Sequence, residues 1–120
     1  MRVETPLYNL DVLKMTTDGD KEFLVKILTT FLANNRESLA NIKEALIHQD
    51  MHEIGVFAHK MLSSYRHLEV NLLIDGLVKL EQMSLGFELG MKEVQEIVDY
   101  LSFYSNKLFS ELEIEIGQVN

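Results

Sequence analysis

One proline, Pro6, is the only residue of its kind in 120, and everything after it is free of the strongest helix breaker. Across that stretch apolar residues recur at helical spacing, and no strand-type alternation persists. A short helix is expected over Leu10 to Met15. TTDGD then makes a turn, with Asp20 suited to cap the helix that follows. From Lys21 to Gln49 a stripe of Leu24, Ile27, Leu28, Phe31, Leu39, Ile42 and Leu46 predicts one long amphipathic helix, bent near Asn34 and Asn35. Asp50 and Glu53 have the D-x-x-E form of a capping box and open a helix running to about Leu68. A third long segment covers Leu72 to Met83, SLGFELG reads as a loop, and a last helix runs from about Met91 to Ile116. On it Val94, Ile97, Leu101, Leu108 and Leu112 face inward. Four long amphipathic segments on short connections predict an all-α, antiparallel up-and-down four-helix bundle with a short extra N-terminal helix. The chain length suits one domain, residues 1–120.

Composition narrows the chemistry. Hydrophobic residues make up 47% and charged residues 25%, enough to fold around a core. With no cysteine, disulfide scaffolds, thiol catalysis and cysteine-ligated zinc are excluded. The net charge of −8 argues against nucleic acid as a partner, which needs clustered positive charge. No apolar stretch approaches the ~20 residues of a membrane span, and MRVETPLYNLDVLKM lacks the apolar core of a secretion signal. The expectation is a cytoplasmic monomer with no membrane partner.

The segment from His52 to Leu68 is the most informative. At ~100° per residue, Ile54, Phe57, Ala58, Met61, Ser64, Tyr65 and Leu68 share one face, which is the core stripe. His59 points away from it. On the outer face around His59 the projection puts Gly55, Leu62, Ser63 and Arg66, with Lys60 at its flank. Gly55 and Ser63 are small, so they leave the imidazole standing clear for another protein's approach. Leu62, exposed there, suits an interface, and Arg66 suits attraction of phosphate. A neutral imidazole offers a ring nitrogen as nucleophile. The plain alternative is that one exposed histidine on a helix does nothing.

These residues resemble the histidine-containing phosphotransfer (HPt) domain family. Ala58-His59, then Met61, Ser64 and Leu68, then Leu80-Glu81, follow the family's A-H-x-L-K-G-S-S run, its later leucine and its leucine-glutamate pair. GDKEFLVKILTTFLANNRESLANIKEAL resembles the family's long preceding helix, so the likeness covers roughly residues 8 to 112. Three departures matter: Leu62 stands at the lysine, Ser63 at the following glycine and Glu69 at a later glycine. The resemblance implies a phosphorelay carrier rather than an autonomous enzyme. His59 would accept a phosphoryl group from a receiver domain's phospho-aspartate and hand it to another receiver. Lys60 and Arg66 are the cations left to stabilise the phosphate, and Gly55, Leu62 and Ser63 form the docking face. The chain would bind no cofactor itself, Mg²⁺ being held by the receiver. Partners implied are response-regulator receivers and hybrid sensor kinases.

Other readings stay open at this level. The same bundle could dock receivers or kinases without phosphotransfer, which Leu62 in place of lysine favours. His48 and His52 have H-x-x-x-H spacing for a metal, but a cap at Asp50 separates them onto different elements. Asp18 and Asp20 resemble the start of a calcium loop whose twelfth position is Thr29 rather than glutamate. Glu111, Glu113 and Glu115 read as a solvated helix end, and Tyr100, Phe103, Tyr104 and Phe109 as packing. Ile114 and Ile116 suit a dimerising extension, against which the well-charged outer faces favour a monomer.

Overall fold

A computed structural model describes residues 6–119; residues 1–5 and 120 of the expected 1–120 domain, with the start of the N-terminal segment, lie outside the described residues. The described residues contain five α-helices, one 3₁₀ turn and no strand. They are α1 (Asp11–Thr16), α2 (Lys21–Ile47), α3 (Met51–His67), α4 (Asn71–Gln82), the 3₁₀ turn Met83–Leu85, and α5 (Met91–Val119). None of the helices is long and apolar enough to cross a membrane.

Local chemistry sets the boundaries. The Asp20 carboxylate accepts from the Phe23 amide at 3.0 Å, and Asp50 accepts from the Glu53 amide at 3.1 Å. Each satisfies an amide that the first helical turn leaves unpaired. Three helix ends close by one device, a left-handed residue flanked by a six-to-one and a five-to-two backbone bond. After α2 the residue is Gln49 (φ 56°), with Asp50 N–H to Ala45 O at 2.8 Å and Gln49 N–H to Leu46 O at 3.0 Å. After α3 it is Glu69 (φ 53°), with Val70 N–H to Tyr65 O at 2.9 Å and Glu69 N–H to Arg66 O at 3.1 Å. After the 3₁₀ turn it is Gly86 (φ 95°), with Phe87 N–H to Gln82 O at 3.1 Å. Only the third uses the residue with no steric objection to that conformation.

The stripes drawn on the sequence are the core. Leu24, Leu28, Phe31, Leu39 and Ile42 of α2 are buried, as are Ile54, Ala58, Met61 and Tyr65 of α3 and Val94, Leu101, Leu108 and Leu112 of α5. Ile27, Leu46, Phe57 and Ile97 are half-buried beside them. Helix α3 packs against α2 and α4, and α5 packs against the same two helices. Tyr65 crosses the middle: its ring stacks on Phe31 at 5.5 Å and its hydroxyl meets Ser105 Oγ of α5 at 2.7 Å. Helix α2 is continuous through Asn34 and Asn35. Asn35 is buried and satisfied in place. Its amide donates to Phe31 O at 2.9 Å and its carbonyl accepts from Ser64 Oγ at 3.2 Å.

The chain before α1 is tied across the end of the molecule. Asn9 N–H donates to Leu68 O at 2.8 Å, and the Tyr8 hydroxyl donates to the Glu115 carboxylate at 3.3 Å. Burial and the nearby Glu115 charge push the Tyr8 hydroxyl up to about 12.

Candidate functional site

Helix α3 is fixed by its buried face, and His59 stands on the other side with its side chain 73% exposed. The ring has a partner within the chain. Its Nδ1 is paired with a carboxylate oxygen of Glu81, near the C-terminal end of α4. The Glu81 side chain is 22% exposed, much less than the ring it pairs with. With Nδ1–H donating to Glu81, the ring's remaining lone pair is on Nε2. A carboxylate that holds one imidazole nitrogen fixes the tautomer and aims the other.

Two of the expected surface neighbours are not on the surface. Gly55 is buried, and a methyl group there would lie 2.5 Å from Ser84 N and 2.9 Å from Leu80 O. Its smallness admits the backbone of α4 and the 3₁₀ turn, not the backbone of a partner. Leu62 is 2% exposed and belongs to the core. Leu80 of α4 and Ser84 of the 3₁₀ turn lie against Gly55, and Leu62, seven residues on and so on the same side of α3, is buried too. Helix α4 also brings Glu81 to the imidazole.

The other side of His59 is open. Ser63, Lys60 and Arg66 are exposed, as expected. Lys60 and Ser63 edge a groove of about 720 Å³ between α1, α2 and α3, with Val12, Ile27, Phe31 and Phe57 among its apolar walls. The Lys60 ammonium lies 5.1 Å from the centre of the Phe57 ring, so its charge is directed into the groove wall. Arg66 is two turns along from His59, a rise of roughly 10 Å.

The remaining histidines form no centre. His48 Nε2 meets the Glu44 carboxylate at 3.0 Å on α2, while His52 lies on α3. Among the described residues no group of three histidine, aspartate or glutamate side chains is placed to hold a metal ion. In the aromatic cluster Phe109 is buried under the Arg36 guanidinium, which is 5.6 Å from its ring centre. Tyr100 and Phe103, expected to pack, are instead 46% and 66% exposed.

Glu81 closes the Leu80-Glu81 pair of the family resemblance, which assigned it no role. Its signal was its position: an acid directly after the buried Leu80, on a helix that follows the histidine helix closely. Comparison with protein-family models, with curated proteins and with solved structures found no match to this chain.

Proposed function

We propose that this protein is a phosphoryl carrier of the histidine phosphotransfer kind, working in the cytoplasm on an antiparallel up-and-down arrangement of α2, α3, α4 and α5. The observation that carries the reading is the His59–Glu81 pair: an exposed imidazole, on a helix locked by its buried face, with Nδ1 engaged and Nε2 open.

Phosphoryl transfer depends mainly on in-line positioning and charge neutralisation. The Nε2 lone pair attacks the phosphorus of a receiver's aspartyl phosphate. The N–P bond forms as the P–O bond to aspartate breaks, and the carboxylate leaves with the electron pair. The Nδ1 proton stays in the bond to Glu81, so the positive charge that the ring acquires faces a carboxylate. Transfer to a second receiver is the reverse of this step. Mg²⁺ belongs to the receiver, and this chain supplies the aimed nucleophile and a docking surface. That surface is the side of α3 carrying Lys60 and Ser63 with the adjoining groove, because Gly55 and Leu62 are covered. Lys60 and Arg66 are the nearby cations for the phosphate.

A second reading is favoured by Leu62. The position where the resembled family has lysine is buried and apolar, and Lys60 is turned toward Phe57. A module that docks receivers or kinases without accepting phosphate would have this surface. Incubation with a phosphorylated receiver domain from the same cell separates the two. Acid-labile, base-stable label on the wild type that is absent from His59→Gln supports the carrier. Binding with no label supports the docking module.

A further inference from the structure

Asp18-Gly19 and Asp75-Gly76 are the two places where the chain sets a glycine directly after an aspartate, and no asparagine precedes a glycine. The two pairs sit in opposite settings. Asp18 and Gly19 are both exposed in the turn between α1 and α2, and both hold positive φ, 48° and 77°. A methyl group on Gly19 would meet nothing within 4 Å, so the space round its backbone is open. The turn is closed by Asp18 N–H to Met15 O at 3.2 Å and by Asp20 N–H to Thr17 O at 2.9 Å. The Gly19 N–H between them has no acceptor among the described residues. Asp75-Gly76 lies inside α4. There each amide is bonded to the carbonyl four residues back, which holds the backbone on both sides of the pair.

An aspartyl-glycine link has a reaction of its own. The glycine nitrogen gives up its proton and attacks Cγ of the aspartate. An N–C bond forms as a C–O bond breaks, and the carboxyl oxygen leaves as water. Water then opens the resulting five-membered imide. Opening at the Cα side leaves the main chain running through Cγ, which is isoaspartate. Ring closure needs a free N–H, a backbone not held by a helix, and no side chain on the second residue. Gly19 supplies all three, and Gly76 supplies only the last.

We propose that Asp18 is a site of spontaneous isomerisation to isoaspartate, and that α4 protects Asp75 from the same change. The new linkage puts an extra methylene into the main chain inside the loop closed by the Asp20–Thr17 bond. It also stands two residues before Asp20, whose carboxylate caps α2 at Phe23. Helix α1, on the other side of the turn, contributes Val12, Leu13 and Thr16 to the wall of the groove beside α3. Isomerisation therefore loosens that wall. The inference rests on the turn alone and stands whether or not His59 is phosphorylated.

Incubation of the full chain for weeks at near-neutral pH, followed by peptide mapping with electron-transfer fragmentation, tests it. The expected result is isoaspartate growing at position 18, with the imide, lighter by one water, as its transient precursor, and intact aspartate at position 75. In the guanidinium-unfolded chain both pairs should isomerise at similar rates, because α4 no longer shields the second. Asp18→Glu, which would have to close a larger ring, should stay intact at native helicity. Position 18 unchanged in the folded chain while the unfolded chain reacts, or position 75 reacting as fast as position 18 in the folded chain, overturns the proposal. Hydrogen exchange on the aged protein reads the consequence. Faster exchange in α1 than in fresh protein is expected, and equal exchange overturns the loosening of the groove wall.

Discussion

His59 Nδ1 on α3 and the Glu81 carboxylate on α4 are paired across 22 residues of sequence, the ring exposed and the acid largely covered. If that pair aims Nε2, removing the carboxylate should impair transfer without unfolding the protein. Glu81→Gln is expected to slow phosphoryl acceptance roughly tenfold to a hundredfold, the scale of losing an orienting partner. The thermal midpoint should hardly move, because an ion pair with one exposed partner adds about 0–1 kcal/mol. Rapid-quench kinetics and a melting curve on the same sample check both halves.

Gly55 is where α3 and α4 touch backbone to backbone. Alanine there gains about 1 kcal/mol of helix propensity, but its methyl group meets Ser84 N and Leu80 O, neither of which can turn aside. Overpacking of this kind typically costs about 1–3 kcal/mol, so Gly55→Ala should be net destabilising in urea titration. It should also slow phosphoryl acceptance, since separating the helices carries Glu81 away from the ring.

Leu62 gives the opposite result from the one its position in the motif suggests. Leu62→Ala should cost about 2–5 kcal/mol as a core truncation. Leu62→Lys, which matches the resembled family, should be at least as damaging, because it forces an ammonium into a position that is 2% exposed. Chemical denaturation of both variants measures this.

Glu69 holds a left-handed conformation (φ 53°) in the turn that ends α3. Glycine adopts that conformation without strain, so Glu69→Gly should raise stability by about 1 kcal/mol. A rise in the denaturation midpoint at constant slope is the expected observation.

The alkaline limit should belong to Tyr8 and Tyr65. Burial raises the Tyr65 hydroxyl well above its ordinary value, with the Ser105 bond pulling slightly the other way, and Tyr8 is raised to about 12. Both folded values exceed the unfolded value near 10, so folding favours the protonated forms. Their contribution is whole below pH 10 and is lost as pH rises from 10 through 12 and beyond. Tyr8→Phe should flatten the early part of that decline in a pH series of melting temperatures.

Helix ends and stripes were legible in the sequence because they are local. Asp20 and Asp50 cap where their spacing to Phe23 and Glu53 says they should, and the α2, α3 and α5 stripes follow from a 3.6-residue repeat. The surroundings of His59 were only half legible. A helical projection tells which residues lie away from one core stripe, and Ser63, Lys60 and Arg66 obey it. It does not tell where a neighbouring helix crosses. Helix α4 and the 3₁₀ turn lie over Gly55, which makes it a packing glycine rather than a docking one, and α4 supplies Glu81. The left-handed Glu69 and Gln49 were hidden for a related reason: bonds back to Tyr65 and Ala45 hold conformations that the residue types disfavour.

The most direct test is to identify the phosphorylated nitrogen. The protein should be labelled from a phosphorylated receiver domain and examined by ¹⁵N and ³¹P NMR with imidazole-selective labelling. Phosphate on Nε2 of His59, with Nδ1 still protonated, is the predicted result. Phosphate on Nδ1, on another residue or on no residue at all would contradict the account.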